Sequence, residues 1–235
     1  MIPMAEKLTE KVHHIAKWQN RERIFRDRKH AGIVLADMLA GYESSGATVL
    51  GIPAGGIPVA AVAAKELGLD LDVAVVSKIT LPWNSEAGYG AVAFDGTVRL
   101  NKGMIRYAGL DENVVEEGIQ STSEKVARRV KEMRGGRPAP DLQDGTAIII
   151  DDGIASGFTM RVAVEAVKNQ GAAKIIVAAP TGEQDSVLAI AQEVHEVYCA
   201  NLRGRPFAVA AAYENWRDVS EDEAERLLTA TELDE

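Results

Sequence analysis

Ile148-Ile149-Ile150-Asp151-Asp152-Gly153-Ile154-Ala155-Ser156-Gly157-Phe158-Thr159 is the stretch from which the rest of the chain can be read. An apolar run without polar alternation predicts a strand covered on both faces, as in a parallel sheet. Two acids end it, and a turn of small residues then opens a helix expected to reach about Gln170. Backbone N–H groups at a helix N-terminus, with the hydroxyls of Ser156 and Thr159, make a site for one phosphate. Adjacent carboxylates can accept hydrogen bonds from vicinal sugar hydroxyls. Acids and phosphate turn on one loop together imply a ribose 5-phosphate. Each half alone has a plainer reading, as a strand end and a capped helix. Side by side, after a fully apolar strand, they favour a ligand site.

Outward from this segment, predicted strands alternate with helices. An amphipathic helix from about Arg23 to Tyr42 carries Ile24, Ala31, Val34, Leu35, Met38 and Leu39 at three- and four-residue spacing. Ala47–Ile52 reads as a buried strand running into Pro53-Ala54-Gly55-Gly56-Ile57-Pro58, then an alanine-rich helix to about Leu67. Leu71–Ile79 reads as a second strand, Thr80–Gly90 as a long loop, and Ala91–Asn101 as a hairpin turning at Asp95-Gly96. A charged helix from about Asp111 to Met133 stops at Gly135-Gly136-Arg137-Pro138. Beyond the strand Thr146–Ile150 come a strand at Lys174–Pro180, a helix at Glu183–Glu193 and a strand at Glu196–Ala200. An extended piece at Phe207–Tyr213 precedes an acidic C-terminal helix. The order predicts an α/β fold with a central, mainly parallel sheet and helices on both faces. No repeat, low-complexity tract or linker divides the 235 residues, so a single domain over 1–235 is expected.

Composition narrows the function classes. With 46% hydrophobic and 26% charged residues, the chain can bury a core without metal or disulfide staples. No run approaches the roughly 18 apolar residues of a membrane span, and the polar N-terminus does not read as a signal peptide. The single Cys199 cannot form an internal disulfide, which fits a reducing cytoplasm. Acidic residues outnumber basic ones 35 to 26, for a net charge of −9. A nucleic-acid partner, which needs clustered cations to release counterions, is therefore not expected. A small polyanion held by backbone amides is compatible with that charge. No His/Cys cluster points to a transition metal, and no metal site built from side chains is expected.

The Asp151–Thr159 segment resembles the ribose-phosphate signature of the type I phosphoribosyltransferases, and the resemblance runs from about Phe25 to Leu228. It is greatest for predicted bacterial and archaeal members of undetermined substrate, with Gly135-Gly136-Arg137-Pro138 and Ala208–Trp216 among the shared stretches. The resemblance implies that Asp151 and Asp152 hold the 2′- and 3′-hydroxyls of 5-phosphoribosyl-1-pyrophosphate and, with Lys78, form the catalytic set. Ala155, Ser156, Gly157, Phe158 and Thr159 would cradle the 5′-phosphate, Phe158 standing where many members have a small residue. Ala54, Gly55 and Gly56 match the pyrophosphate loop, where glycine lets a backbone approach a dianion. Lys78 either neutralises pyrophosphate or is an ordinary exposed lysine. Thr80–Gly90, with Glu86, Gly88 and Gly90, resembles the family's flexible lid. Tyr213 and Trp216 lie where relatives build a hood over the base, and either stack on it or pack internally. A core at about 25–200, a helical insertion at about 103–134 and a hood with its helix at about 201–235 complete the expected layout.

The implied activity is transfer of the phosphoribosyl group to a nitrogen acceptor, a nucleobase or an amine, with release of pyrophosphate, by a cytoplasmic homodimer. Mg²⁺ is expected on the ligand's phosphates, with the two acids near its outer shell. Ala155 stands where the 6-oxopurine enzymes carry an Asp, which argues against hypoxanthine and guanine. The alternative is a non-catalytic regulator that senses phosphoribosyl pyrophosphate or a nucleotide through the same loops.

Overall fold

The structure, a computed structural model, describes residues 10–230. Its main sheet has six strands: β1 (Val12–His13), β2 (Thr48–Gly51), β3 (Asp70–Val73), β7 (Thr146–Ile150), β8 (Lys174–Glu183) and β9 (Glu196–Arg203). They lie in the order β1-β9-β8-β7-β2-β3, and every pairing is parallel. A second, antiparallel sheet is built from β4 (Val76–Leu81), β5 (Asn84–Ala93) and β6 (Val98–Leu100). The helices are α1 (Arg28–Met38), α2 (Gly56–Leu67), α3 (Lys102–Ala108), α4 (Glu112–Arg134), α5 (Phe158–Asn169), α6 (Gln184–Ala191) and α7 (Glu221–Ala230). Among the described residues no helix is long and apolar enough to cross a membrane.

The triple isoleucine of β7 shows why the sheet sits where it does. Successive strand side chains point to opposite faces. Ile148 and Ile150 join the core under α1 and α2, while Ile149 joins the core under α5 and α6; all three are fully buried. A strand with water on neither side must be apolar throughout, so its sequence places it in the middle of a covered parallel sheet.

Several boundaries differ from the sequence expectation. The first helix starts at Arg28, not Arg23, because the Asp27 carboxylate accepts from the N–H of His30 and caps it. Phe25, freed from the helix, pairs with Tyr213 in a short parallel bridge and is fully buried. The expected second strand divides: β3 stays in the main sheet, whereas β4 turns away into the antiparallel sheet. Thr80–Gly90 is not an irregular loop but the outer half of the β4–β5 hairpin, turning at Pro82-Trp83. Its glycines hide the strand pattern; a side chain on Gly90 would come 2.8 Å from Leu100 Cδ2 and 2.9 Å from the Arg99 carbonyl. Phe207–Tyr213 is a short 3-10 turn at Val209–Ala212, with Val209 packed over Gly153, so part of this apolar stretch is used inside the protein. The polar N-terminal segment supplies an edge strand, β1, whose His13 stacks on Tyr198 at 4.4 Å.

The long helix α4 braces the hairpin. The Tyr89 hydroxyl reaches the Val114 carbonyl at 3.3 Å and lies against the bare backbone of Gly118. Arg129 donates to Ser77 Oγ at 3.2 Å and pairs with Glu221 of α7. At the end of α4, Arg134 donates to Asp72 of β3 at 2.8–3.2 Å, with both residues buried. Removing one member of a buried pair strands the other's charge and costs about 3–5 kcal/mol. Arg134→Met is therefore expected to lower unfolding free energy by about that amount in urea titrations. Adding Asp72→Leu should restore most of it; an undiminished midpoint in the single variant would mean the pair is not buried.

Candidate functional site

Because β2 and β7 are neighbours in register, with Gly51 opposite Ile150, the loops that follow them leave the same end of the sheet side by side. The first loop is Pro53–Gly56, whose Pro53–Ala54 peptide is cis. Gly55 has an ordinary right-handed backbone, φ −63° and ψ −32°, so conformation does not demand glycine there. Space does: a side chain would run into the Asp152 carboxylate, 2.8 Å from its Cγ. At Gly56 the intrusion would be 2.8 Å from the Ile150 carbonyl oxygen and 3.1 Å from Asp151 Oδ1. Two motifs nearly a hundred residues apart thus press backbone against carboxylate.

The second loop, residues 151–157, is pinned at Ile154. Its N–H donates to the Thr181 carbonyl at 2.9 Å, and its carbonyl accepts from the Glu183 N–H at 2.8 Å. Ala155 and Ser156 stand exposed beyond that anchor. Gly157 turns the chain into α5 with φ +68°, a left-handed conformation that side chains disfavour. Phe158 and Thr159 follow as the first helical residues; the Phe158 N–H points at Ser156 Oγ at 3.4 Å. The turn therefore presents the positive end of a twelve-residue helix beside two carboxylates.

The electrostatics of the acid pair depend on Arg28, which the sequence reading did not single out. Arg28 Nε and Nη2 both donate to Asp152 Oδ2, at 3.0 and 2.8 Å, and Nη1 donates to the Arg217 carbonyl at 2.7 Å. The face of the guanidinium lies 4.0 Å from the Trp216 ring. Burial pushes Asp151 well above the usual carboxylate range, and the neighbouring Asp152 charge pushes it further. Burial also raises Asp152, but the Arg28 charge and its hydrogen bonds oppose that rise. Within the pair, Asp152 is the residue favoured to carry the negative charge and Asp151 the one favoured to hold a proton. A signal for Arg28 was present in the sequence: it begins the stripe Arg28, Ala31, Gly32, Leu35 that α1 buries, and a cation in a buried stripe needs a partner.

Of the remaining expected residues, Tyr213 is buried, with its hydroxyl donating to the Asp152 carbonyl at 2.7 Å and its ring between Phe25 and Trp216. Trp216 is exposed and carries Arg28 on one face. Lys78 does not end a strand of the main sheet; it lies within β4, exposed, opposite Ala91 of β5. Gly88 sits beside it, with Lys78 Cβ 3.5 Å from where its own Cβ would be, and Gly90 is packed in the same hairpin. Glu86 belongs to β5, and its side chain lies outside the described residues. Among the described residues, no three His, Cys, Asp or Glu side chains are grouped so as to hold a metal ion.

The chain is similar to known proteins in sequence and in fold. Residues 96–208 match the sequence model of the phosphoribosyl transferase domain. A protein of Mycobacterium tuberculosis (strain H37Rv), provisionally named a phosphoribosyl transferase, is 36% identical over 212 residues. That alignment covers 90% of this chain and 48% of the relative, so the chain spans about half the length of the curated relatives it matches. Among solved structures, the protein TT1426 from Thermus thermophilus superposes with a TM-score of 0.73 at 32% identity, covering 88% of this chain and 98% of that one.

The raised pKa of Asp151 has a measurable consequence for stability. A carboxyl whose folded pKa lies above its unfolded value, 3.8, contributes most below that value. The contribution is lost as pH rises through the folded pKa, because folding must then bury the charge. Asp151→Asn keeps an oxygen for the Asp152 N–H, now 2.8 Å from Asp151 Oδ1, and carries no charge. The variant should melt above wild type at pH 7, and the advantage should vanish as pH falls below about 3.8. A lower melting temperature at pH 7 would show that the ionised carboxylate is held favourably.

Proposed function

Since the chain belongs to the phosphoribosyltransferase family, a family of pentosyltransferases, we propose that it binds 5-phosphoribosyl-1-pyrophosphate across its two facing loops and transfers the phosphoribosyl group to a nitrogen acceptor. The observation that carries this reading is the contact of Gly55 and Gly56 with Asp152 and Asp151, next to the Gly157 turn. A ligand bearing a pyrophosphate and a 5-phosphate on one ribose spans just such a set: amides of 54–56, paired acids, then amides of 155–159. Asp151 and Asp152 take the ribose hydroxyls. The pyrophosphate leaves C1′ as the acceptor nitrogen arrives on the opposite face.

The protein's share of the work is positioning and charge. Amides and glycines hold both phosphates so that C1′ faces the acceptor. Developing positive charge at the ribose lies close to Asp152, whose negative charge Arg28 maintains. The hairpin carrying Lys78, its root braced by α4, would bring a cation to the leaving group and exclude water. Two adjacent carboxylates, with no third His, Cys, Asp or Glu grouped with them among the described residues, suit Mg²⁺ carried on the substrate's phosphates, where it would neutralise the leaving charge while Asp151 and Asp152 hold its water shell. Trp216, with one face covered by Arg28, is the aromatic available to an acceptor ring. A cytoplasmic homodimer belongs to the same reading, on the family resemblance.

Calorimetry should detect Mg²⁺-dependent binding of phosphoribosyl pyrophosphate. A hydrogen bond to a charged group contributes about 1.5–3 kcal/mol, so Asp152→Asn should weaken binding roughly tenfold or more, and Asp151→Asn, at the acid favoured to hold a proton, should weaken it less. Gly157→Val, disfavoured at φ +68° and pressed against Ile190 and Ser186, should distort the phosphate turn and abolish binding. No heat at millimolar ligand, or full affinity in all three variants, would refute the assignment.

The acceptor is constrained by Ala155, whose methyl group cannot relay a proton. General acid–base help is typically about 10²–10⁴-fold, so hypoxanthine and guanine should be poor acceptors by at least about two orders of magnitude next to the best substrate in a nucleobase and amine screen. Efficient turnover of either would mean another residue supplies the base.

A further inference from the structure

Arg28 belongs to neither ligand loop, yet it joins the acid pair to the C-terminal segment. Its three guanidinium nitrogens are all engaged within the protein, two on Asp152 Oδ2 and one on the Arg217 carbonyl. Its Nη2 lies 3.4 Å from where a side chain on Gly55 would begin, so it also closes the back of the glycine loop. Its flat face covers Trp216, and the same Asp152 is held from the main-chain side by the Tyr213 hydroxyl at 2.7 Å. The side chain is 10% exposed, too enclosed to serve as a first contact for an incoming ligand.

We propose that Arg28 is the positioning residue of the sugar site: it clamps one oxygen of Asp152, leaves Oδ1 to a ligand hydroxyl, and ties the Tyr213–Arg217 segment to that orientation. The inference rests on the reading of the acid pair as a ribose site. Both donors converge on Oδ2, so the clamp fixes the carboxylate's rotation without occupying Oδ1. A planar fork holds a carboxylate oxygen and a carbonyl in one fixed geometry; an ammonium gathers its three donors at a single, freely rotating point. Selectivity for a hydroxylated sugar therefore depends on a residue that contacts no ligand itself, and the C-terminal segment is set in place by the same contact.

Calorimetric titration of the full chain with ribose 5-phosphate and with 2-deoxyribose 5-phosphate separates this role from simple support of the fold. Both sugars carry the same phosphate, so loss of the phosphate turn would weaken both alike. Wild type should favour ribose 5-phosphate by about tenfold or more. In Arg28→Met the preference should fall below about threefold while binding of the deoxy sugar persists. Arg28→Lys, which keeps the charge and loses the fork, should fall between the two and carries the test if the Met variant does not fold. Wild-type preference retained in the folded variants would overturn the role of Arg28 alone. A wild type that binds neither sugar, or binds both equally, would overturn the ribose-site reading beneath it.

Discussion

The close approach of two loop backbones, nearer than a side chain would allow, is the constraint on which this end of the sheet depends. That approach is made between Gly55-Gly56 and Asp151-Asp152, and much else follows from it. The adjacency of β2 and β7 brings the loops together, and the isoleucines that fill both faces of β7 keep that strand central. Missing side chains at 55 and 56 then let the carboxylates and the backbone amides face a common space. Gly55 and Gly56 matter for room, whereas at Gly157 backbone conformation itself calls for glycine.

Placing two carboxylates side by side and out of water is unfavourable, and the structure answers the cost unevenly. Asp152 receives Arg28 directly, whereas Asp151 has the Asp152 N–H and the more distant Arg28 charge against its burial and its neighbour's charge. The asymmetry favours Asp152 as the anion and leaves Asp151 with most of the cost of burial. It also recruits distant chain: α1 supplies the cation, and the segment after β9 supplies Tyr213 and Trp216 around it. A site written in one short loop is thus completed from both ends of the sequence.

How much of this could be read beforehand depends on the range of the signal. The parallel α/β order was legible because fully apolar strands and alanine-rich or capped helices are local patterns, as at Thr146–Ile150 and Gly56–Leu67. The small-residue turn at Gly157 and the acid pair before it were legible for the same reason. What escaped depended on long-range pairing. The hairpin at β4–β5 was hidden by Gly88, Gly90 and Pro82, which erase alternation even though the strands pair. The strand β1 is two residues long and exists only because β9 offers it an edge. Arg28 acquires its role through a partner 124 positions away, a distance no local pattern spans.

A crystal structure of the protein with ribose 5-phosphate bound would test the central claim most directly. The account predicts the phosphate within hydrogen-bond distance of the 155–159 amides, sugar hydroxyls on the Asp151 and Asp152 carboxylates, and Arg28 still on Asp152 Oδ2. A sugar phosphate bound elsewhere, with the acid pair untouched, would contradict it.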